Sequence, residues 1–156
     1  MNQIATLLPV THILLDVEMG NKRRLFEHLG RSFGASLGIA PDLILNSLLA
    51  REKLGSTGLG QGVAIPHGRI KGLKSAAGVL VRLNPGIDFD APDRLPVRLV
   101  FVLFVPVHAT DLHLQILGEL AQLFSDKNLR DALLTCADNM AVVNLIHHWQ
   151  PWVDHD

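Results

Sequence analysis

The chain has 156 residues, of which 48% are hydrophobic and 19% charged, and this composition predicts a single domain, residues 1–156, around one hydrophobic core. The formal net charge is -1, and the absence of a Lys/Arg run excludes nucleic acid held by a basic surface. A single cysteine excludes an internal disulfide and favours a reducing cytoplasm, where we expect the protein to lie.

The N-terminal third predicts one strand and two helices. Ile13–Val17 has the composition of a short strand. Asn21 is typical of a helix N-cap and Gly38 of a helix end, which predicts a helix through residue 37. Pro41 suits the first turn of a second helix, Pro41–Leu54.

The next segment changes character, because residues 55–62 contain four glycines in eight positions. Glycine is costly inside a helix or strand, so this segment is predicted to be a loop. Residues 63–65 predict a short extended piece, and Pro66 favours an extended conformation for the residue before it. Residues 67–69 are predicted to turn away from this piece.

The remaining chain alternates strand and helix patterns. Turns are predicted at 84–86 and 90–93, strands at 76–83 and 97–105, and helices at 111–124 (capped by Thr110), 129–136 and 141–149. This alternation predicts an α/β fold with a mixed parallel/antiparallel central sheet flanked by helices. The longest apolar run, 99–107, is too short to cross a bilayer, so we expect no membrane insertion.

The chemistry points to His67, which stands in a Pro-His-Gly corner after the glycine-rich loop. Backbone N–H groups of such a loop can form an anion nest, and we expect the Ser56 and Thr57 hydroxyls to turn outward. A neutral imidazole is a nucleophile that can form a covalent intermediate. The loop lacks the Gly-Lys-Ser/Thr end of a nucleotide phosphate loop, so a phosphoprotein donor is expected.

A second histidine, His113, falls in the first turn of the helix predicted after the buried strand. Helix N-termini favour anions, so an imidazole there can donate to a phosphoryl oxygen. No His-x-x-x-His or Cys pair accompanies the two histidines, and neither a metal nor a cofactor is expected.

Several stretches resemble one family in order and spacing: Arg51-Glu52, Gly55-Ser56-Thr57-Gly58, Ala64-Ile65-Pro66-His67-Gly68 and His113-Leu114. The chain resembles the IIA components of the bacterial phosphoenolpyruvate-dependent phosphotransferase system, of the fructose/mannitol/nitrogen type. Leu7-Leu8-Pro9, Asn21-Lys22-Arg23 and Phe89-Asp90-Ala91 resemble the nitrogen-regulatory subgroup. The resemblance implies that His67 accepts the phosphoryl group, that His113 donates a hydrogen bond to it and that Arg51 interacts with it electrostatically.

The resemblance also implies a phosphate loop containing Ser56, Thr57 and Gly58. We also expect an apolar rim around the acceptor histidine, because a docked donor must expel water from the reacting groups. We expect Leu59 and Ile65 to belong to this partner-docking rim.

The family donor is a small histidine-containing phosphocarrier protein, so the resemblance implies a phosphocarrier whose partners depend on its phosphorylation state. The expected targets are regulatory proteins, such as a sensor kinase or a potassium transport regulator. One alternative is a sugar-transport IIA component that passes phosphate to a IIB domain. Another is a noncatalytic protein-binding module that keeps the fold without phosphorylation.

Overall fold

A computed structural model describes residues 3–108 and 110–150. This part of the chain forms an α/β fold around a six-stranded mixed sheet. The helices are α1 (Gln3–Leu7), α2 (Lys22–Leu37), α3 (Pro41–Leu54), α4 (Thr110–Ser125), α5 (Lys127–Thr135) and α6 (Asn139–His148). The strands are β1 (Ile13–Val17), β2 (Gly58–Gly60), β3 (Val63–Ala64), β4 (His67–Ile70), β5 (Ala77–Ile87) and β6 (Val97–Pro106).

The sheet is organised around β6. β5 pairs with one edge of β6 in antiparallel fashion and with β1 in parallel fashion. On the other edge of β6, β3 and β4 lie one after the other, both parallel to it, and β2 pairs with β3. His67 thereby lies opposite Leu103, towards the end of β6 from which the chain leads into α4. The mixed sheet predicted from the sequence is confirmed.

A hydrophobic cluster covers each face of the sheet, because successive side chains of a strand point to opposite faces. Val100, Val102 and Phe104 of β6 face the cluster that includes α2 and α3. Phe101 and Leu103 face the cluster that includes α1, α4, α5 and α6. The site described below lies where these layers meet.

Local signals set the ends of the first long helices as predicted. The Asn21 side chain accepts the Arg24 N–H at 2.9 Å, and Gly38 ends α2 in the left-handed conformation with φ 72°. α3 begins at Pro41, as expected. Thr110 is the first residue of α4, and its side chain is outside the described part of the chain. Within the described ranges, no helix is both long and apolar enough to cross a bilayer.

Three local predictions are wrong. Gly58–Gly60 forms β2 rather than loop, and the predicted turn at 67–69 is part of β4. The predicted turn at 84–86 lies within β5, where the register against β6 becomes irregular between Arg82 and Ile87. β4 forms because its backbone pairs with β6, which is distant in sequence, whereas β2 pairs with the neighbouring strand β3. In both strands the pairing outweighs the local preference of Gly.

Candidate functional site

His67 is the first residue of β4 and lies half-buried in a pocket of about 680 Å³ between α3, β4 and the start of α4. Parallel pairing of β4 with β6 fixes its backbone, and the Leu103 N–H donates to the carbonyl oxygen of Pro66 at 2.9 Å. The imidazole is therefore mounted on the sheet and reachable from solvent through the pocket.

Two hydrogen bonds define the tautomer of His67. Its Nδ1 lies 3.0 Å from the carbonyl oxygen of Ile65, which can only accept. Its Nε2 lies 3.2 Å from Nε of Arg51, which can only donate. Nδ1 consequently carries the proton, and Nε2 holds the lone pair that a nucleophile needs.

The environment keeps this imidazole neutral. Burial lowers the pKa of His67 below 6.5, and the positive charge of Arg51 lowers it further. The hydrogen bond to the Ile65 carbonyl and the Glu52 carboxylate act in the opposite direction without reversing the shift. At neutral pH the lone pair on Nε2 is therefore available for bond formation.

His113, in the first turn of α4, faces His67 across the pocket. The two ring centroids are 5.1 Å apart at an interplanar angle of 67°. His113 is only 8% exposed, and neither of its ring nitrogens has a hydrogen-bond partner among the residues that the structure describes. Burial, then the charges of His67, Arg69 and Arg51, lower the pKa of His113. A buried imidazole N–H without a partner is costly, and it can be satisfied by an oxygen placed beside Nε2 of His67.

Arg51 lies in the last turn of α3, and its side chain is hydrogen-bonded to the residue that caps the same helix, Gly55. Its Nη1 donates to the carbonyl oxygen of Gly55 at 2.8 Å, while Nε points at His67. Arg69 and Lys71 also line the pocket, and its lining among the described residues includes no carboxylate. The charge of the pocket therefore favours an anion.

The expectation that the Ser56 and Thr57 hydroxyls turn outward is wrong. The Ser56 hydroxyl donates to the carbonyl oxygen of Phe89, and the Thr57 hydroxyl donates to the carboxylate of Glu52. Thr57 is only 5% exposed, and a buried hydroxyl needs a partner inside the protein. Neither residue lines the His67 pocket. Their place in a phosphate loop stays a prediction.

Gly58, the first residue of β2, packs tightly against the segment that follows β5. A Cβ built on it would lie 2.9 Å from Cβ of Ala91, closer than carbon atoms pack. Its N–H donates to Oγ of Ser56 at 3.0 Å. Gly58 thus lets the loop approach the segment after β5, and its place in a phosphate loop likewise stays a prediction.

The apolar rim of the pocket differs from the expected one. Ile65 is 4% exposed and belongs to the core, so its prediction as a rim residue is wrong. Leu59 is exposed but lines a different pocket, beside α4, and its docking role stays a prediction. Leu43 and Leu54 of α3, 48% and 85% exposed, line the His67 pocket instead.

Two residues near the site, Glu52 and Lys22, were not predicted as site residues from the sequence. The side chain of Glu52 is 7% exposed and pairs with Nζ of Lys22 at 3.0 Å. It also accepts the backbone N–H of Thr57 at 3.2 Å. One signal was present in the sequence: a carboxylate in the last turn of a helix is electrostatically unfavourable and needs a compensating partner.

Comparisons with known proteins identify the family of the chain. Residues 6–149 match the family model described as the phosphoenolpyruvate-dependent sugar phosphotransferase system, EIIA 2. The crystal structure of nitrogen regulatory protein IIA-Ntr from Neisseria meningitidis is 46% identical, covering 93% of this chain and 99% of that one, with a TM-score of 0.89.

The curated relatives include nitrogen regulatory proteins and a fructose-specific component. A nitrogen regulatory protein of Pseudomonas aeruginosa is 38% identical over 85% of this chain and 87% of its own length. A fructose-specific EIIA component of Haloferax volcanii is 31% identical over 92% of this chain and 94% of its own length. The family match over nearly all of the chain, together with these relatives, shows that the chain belongs to the EIIA type-2 family of the phosphoenolpyruvate-dependent sugar phosphotransferase system.

Proposed function

We propose that this protein accepts a phosphoryl group on Nε2 of His67 from the phosphohistidine of a small histidine-containing phosphocarrier, and that its phosphorylation state then regulates partner proteins. The observation that carries this proposal is the tautomer of His67. Its proton is on the nitrogen bonded to the Ile65 carbonyl, and its lone pair is on the nitrogen beside Arg51 and near His113.

The transfer balances without an added reagent. The N–P bond of the donor breaks, its electron pair returns to the donor nitrogen, and the lone pair of Nε2 forms the new bond to phosphorus. The Nδ1 proton stays in place, and its bond to the Ile65 carbonyl stabilises the positive charge that grows on the ring. Phosphoryl transfer depends mainly on in-line positioning and on stabilising charge over the phosphoryl oxygens.

Arg51 and His113 supply that stabilisation. Arg51 gives up its hydrogen bond to Nε2 when phosphorus arrives, and its guanidinium is then beside the phosphoryl oxygens. His113 offers an N–H that has no other partner. Both groups are in place before the reaction, so little reorganisation accompanies it.

The surface around the pocket suits docking of a protein donor. Leu43 and Leu54 lie on the α3 side, and Leu112 and Leu114, 42% and 69% exposed, flank His113 on the α4 side. Exposed leucines on both sides of the half-buried His67 and the buried His113 form a surface that a partner can cover, excluding water that would hydrolyse phosphohistidine. We also propose that the protein lies in the cytoplasm, which its single cysteine favours.

Regulation follows from the same surface. A phosphoryl group adds close to two negative charges and three acceptor oxygens at the pocket, which changes the affinity of any partner that docks there. The nitrogen regulatory names of the relatives support a regulatory role. As its targets we propose regulatory proteins such as a sensor kinase or a potassium transport regulator, which the family resemblance implies.

A second candidate is sugar transport, in which His67 passes the phosphoryl group to a IIB domain. The fructose-specific relative favours it. Rapid transfer from the phosphorylated protein to a purified IIB domain would support transport, and its absence would support regulation. A noncatalytic binding module is disfavoured, because His67, His113 and Arg51 are all present and close together.

The test is the intact mass of the protein after incubation with the phosphocarrier protein, phosphoenolpyruvate and enzyme I. Enzyme I phosphorylates the phosphocarrier protein from phosphoenolpyruvate. We expect one acid-labile phosphoryl group on the wild-type chain and none on His67→Ala. His148→Ala, which removes an exposed histidine at the end of α6, is the matched control and should be labelled normally. Labelling of His67→Ala at the wild-type rate would overturn the assignment.

A further inference from the structure

We propose that Glu52 is a positioning residue that fixes the tautomer of His67, and thereby determines which ring nitrogen takes the phosphoryl group. The carboxylate acts through Thr57 and Ile65, without touching the reacting atoms. The kinetic part of this inference rests on the proposed function, whereas the tautomer itself can be measured without any donor.

The first link is the attachment of Thr57 to Glu52. One carboxylate oxygen of Glu52 accepts both the Thr57 hydroxyl and the Thr57 backbone N–H, the latter at 3.2 Å. The other oxygen accepts Nζ of Lys22 at 3.0 Å, and Lys22 also reaches Asp90 at 3.1 Å. Because the Glu52 side chain is only 7% exposed, water cannot easily replace these partners.

The second link joins Thr57 to the residue that faces His67. The carbonyl oxygen of Thr57 accepts the Ile65 N–H at 3.0 Å. On the other side, the Leu103 N–H holds the Pro66 carbonyl at 2.9 Å. Ile65 is therefore held from both directions, with its own carbonyl oxygen 3.0 Å from Nδ1 of His67.

The final link is chemical. Which imidazole nitrogen carries the proton is set by the hydrogen bond that the other one makes. A fixed Ile65 carbonyl requires the proton on Nδ1 and leaves the lone pair on Nε2, which faces the pocket. If that carbonyl moves, only the longer 3.2 Å hydrogen bond from Nε of Arg51 still favours the Nδ1–H form, so the Nε2–H form becomes populated. In the Nε2–H form the nitrogen facing the donor has no lone pair to attack with.

A purely structural role for Glu52 makes a different prediction. The carboxylate also ties the N-terminus of α2 to the end of α3 through Lys22. If that were its whole contribution, its removal would lower the free energy of unfolding and leave the His67 tautomer unchanged. The tautomer therefore separates the two roles.

The experiment compares four variants of the full chain with wild type by ¹⁵N–¹H NMR of the His67 imidazole, at a pH where the ring is neutral. Thr57→Val keeps the shape of the side chain and removes its hydroxyl, whereas Thr57→Ser restores a hydroxyl. Glu52→Gln removes the charge. Asp90→Asn is the control, because Asp90 pairs with Lys22 but is exposed and does not contact Thr57.

We expect the wild type, Thr57→Ser and Asp90→Asn to show one tautomer with Nδ1–H. Thr57→Val and Glu52→Gln should show a mixture. In phosphotransfer from the phosphocarrier, the same two variants should lose about tenfold in kcat, with KM for the donor unchanged because the leucine surface is intact.

An unchanged tautomer in folded Thr57→Val and Glu52→Gln would overturn the proposal, and so would a loss of kcat without a change of tautomer. If Glu52→Gln does not fold, the Thr57→Val and Thr57→Ser pair decides the question alone. Failure of the proposed function looks different: the wild-type chain would take no phosphoryl group, while the tautomer measurement would keep its meaning.

Discussion

Replacement of Gly68 by alanine tests how closely α3 must approach β4 for the site to form. Gly68 follows His67 in β4, and a Cβ built on it would lie 2.2 Å from Oγ of Ser47 and 3.2 Å from Cβ of Ser47, on α3. Carbon atoms pack at about 3.5–4.0 Å. The added methyl group must therefore displace part of α3, the helix that carries Arg51.

The expected loss has two parts. The Ser47 hydroxyl can rotate away, but it then gives up its 3.0 Å hydrogen bond to the Arg69 carbonyl, worth about 1 kcal/mol. The Ser47 Cβ and backbone cannot rotate away, so the helix must shift, and overpacking of this kind costs about 1–3 kcal/mol. We expect Gly68→Ala to lower the free energy of unfolding by about 2 kcal/mol or more. Phosphoryl uptake should also slow, because Arg51 moves away from His67.

Urea unfolding and phosphotransfer kinetics measure the two effects. Gly118→Ala is the matched control, because a Cβ there meets nothing within 4 Å and the site is inside α4. That variant should gain up to about 1 kcal/mol. Adding Ser47→Ala to Gly68→Ala removes the closest clash and should recover part of the loss. A Gly68→Ala protein as stable as wild type, or no recovery in the double variant, would show that the contact between Gly68 and Ser47 is not tight.

Two further predictions concern the histidines. His113→Leu should raise the free energy of unfolding by about 1 kcal/mol, because it removes a buried imidazole without hydrogen-bond partners. The same variant should slow phosphoryl transfer about a hundredfold while leaving His67 able to take label. Unchanged kinetics would contradict the role given to His113. In an NMR titration the midpoint of His67 should fall below 6.5, and Arg51→Gln should move it upward. Since the unfolded chain binds this proton more readily than the folded one, stability should rise with pH towards 6.5 and be lost as pH falls below it. A midpoint at or above 6.5 would be inconsistent with the burial of the ring.

The elements that the sequence predicts well have local causes. Asn21 and Gly38 bound α2 through their own side-chain and backbone preferences, and Pro41 starts α3 for the same kind of reason. The apolar run of β6 is equally local, since a strand buried on both faces needs no alternation. The proximity of His67 and His113, which lie in β4 and α4, was expected from the family resemblance and not from a local pattern.

The parts that were wrong depend on contacts that the local sequence pattern does not show, most of them with distant parts of the chain. β4 is a strand because β6 pairs with its backbone, and no local pattern at His67 indicates this. Thr57 turns inward because Glu52 is buried beneath it. Ile65 is an apolar residue close to His67 in the sequence, so a place in the rim was expected. It belongs to the core because α4 to α6 pack against this face of the sheet. Helix α1 was not predicted, and burial of Ile4 explains why so short a segment is helical.

The three groups around the proposed acceptor nitrogen come from three different layers of the molecule. His67 belongs to the sheet, Arg51 to the helices on one face and His113 to a helix on the other face. No supersecondary fragment contains all three, so a chain caught halfway through folding has no complete acceptor. In the proposed function, only completely folded molecules can then be phosphorylated, and partly folded molecules cannot signal to partner proteins.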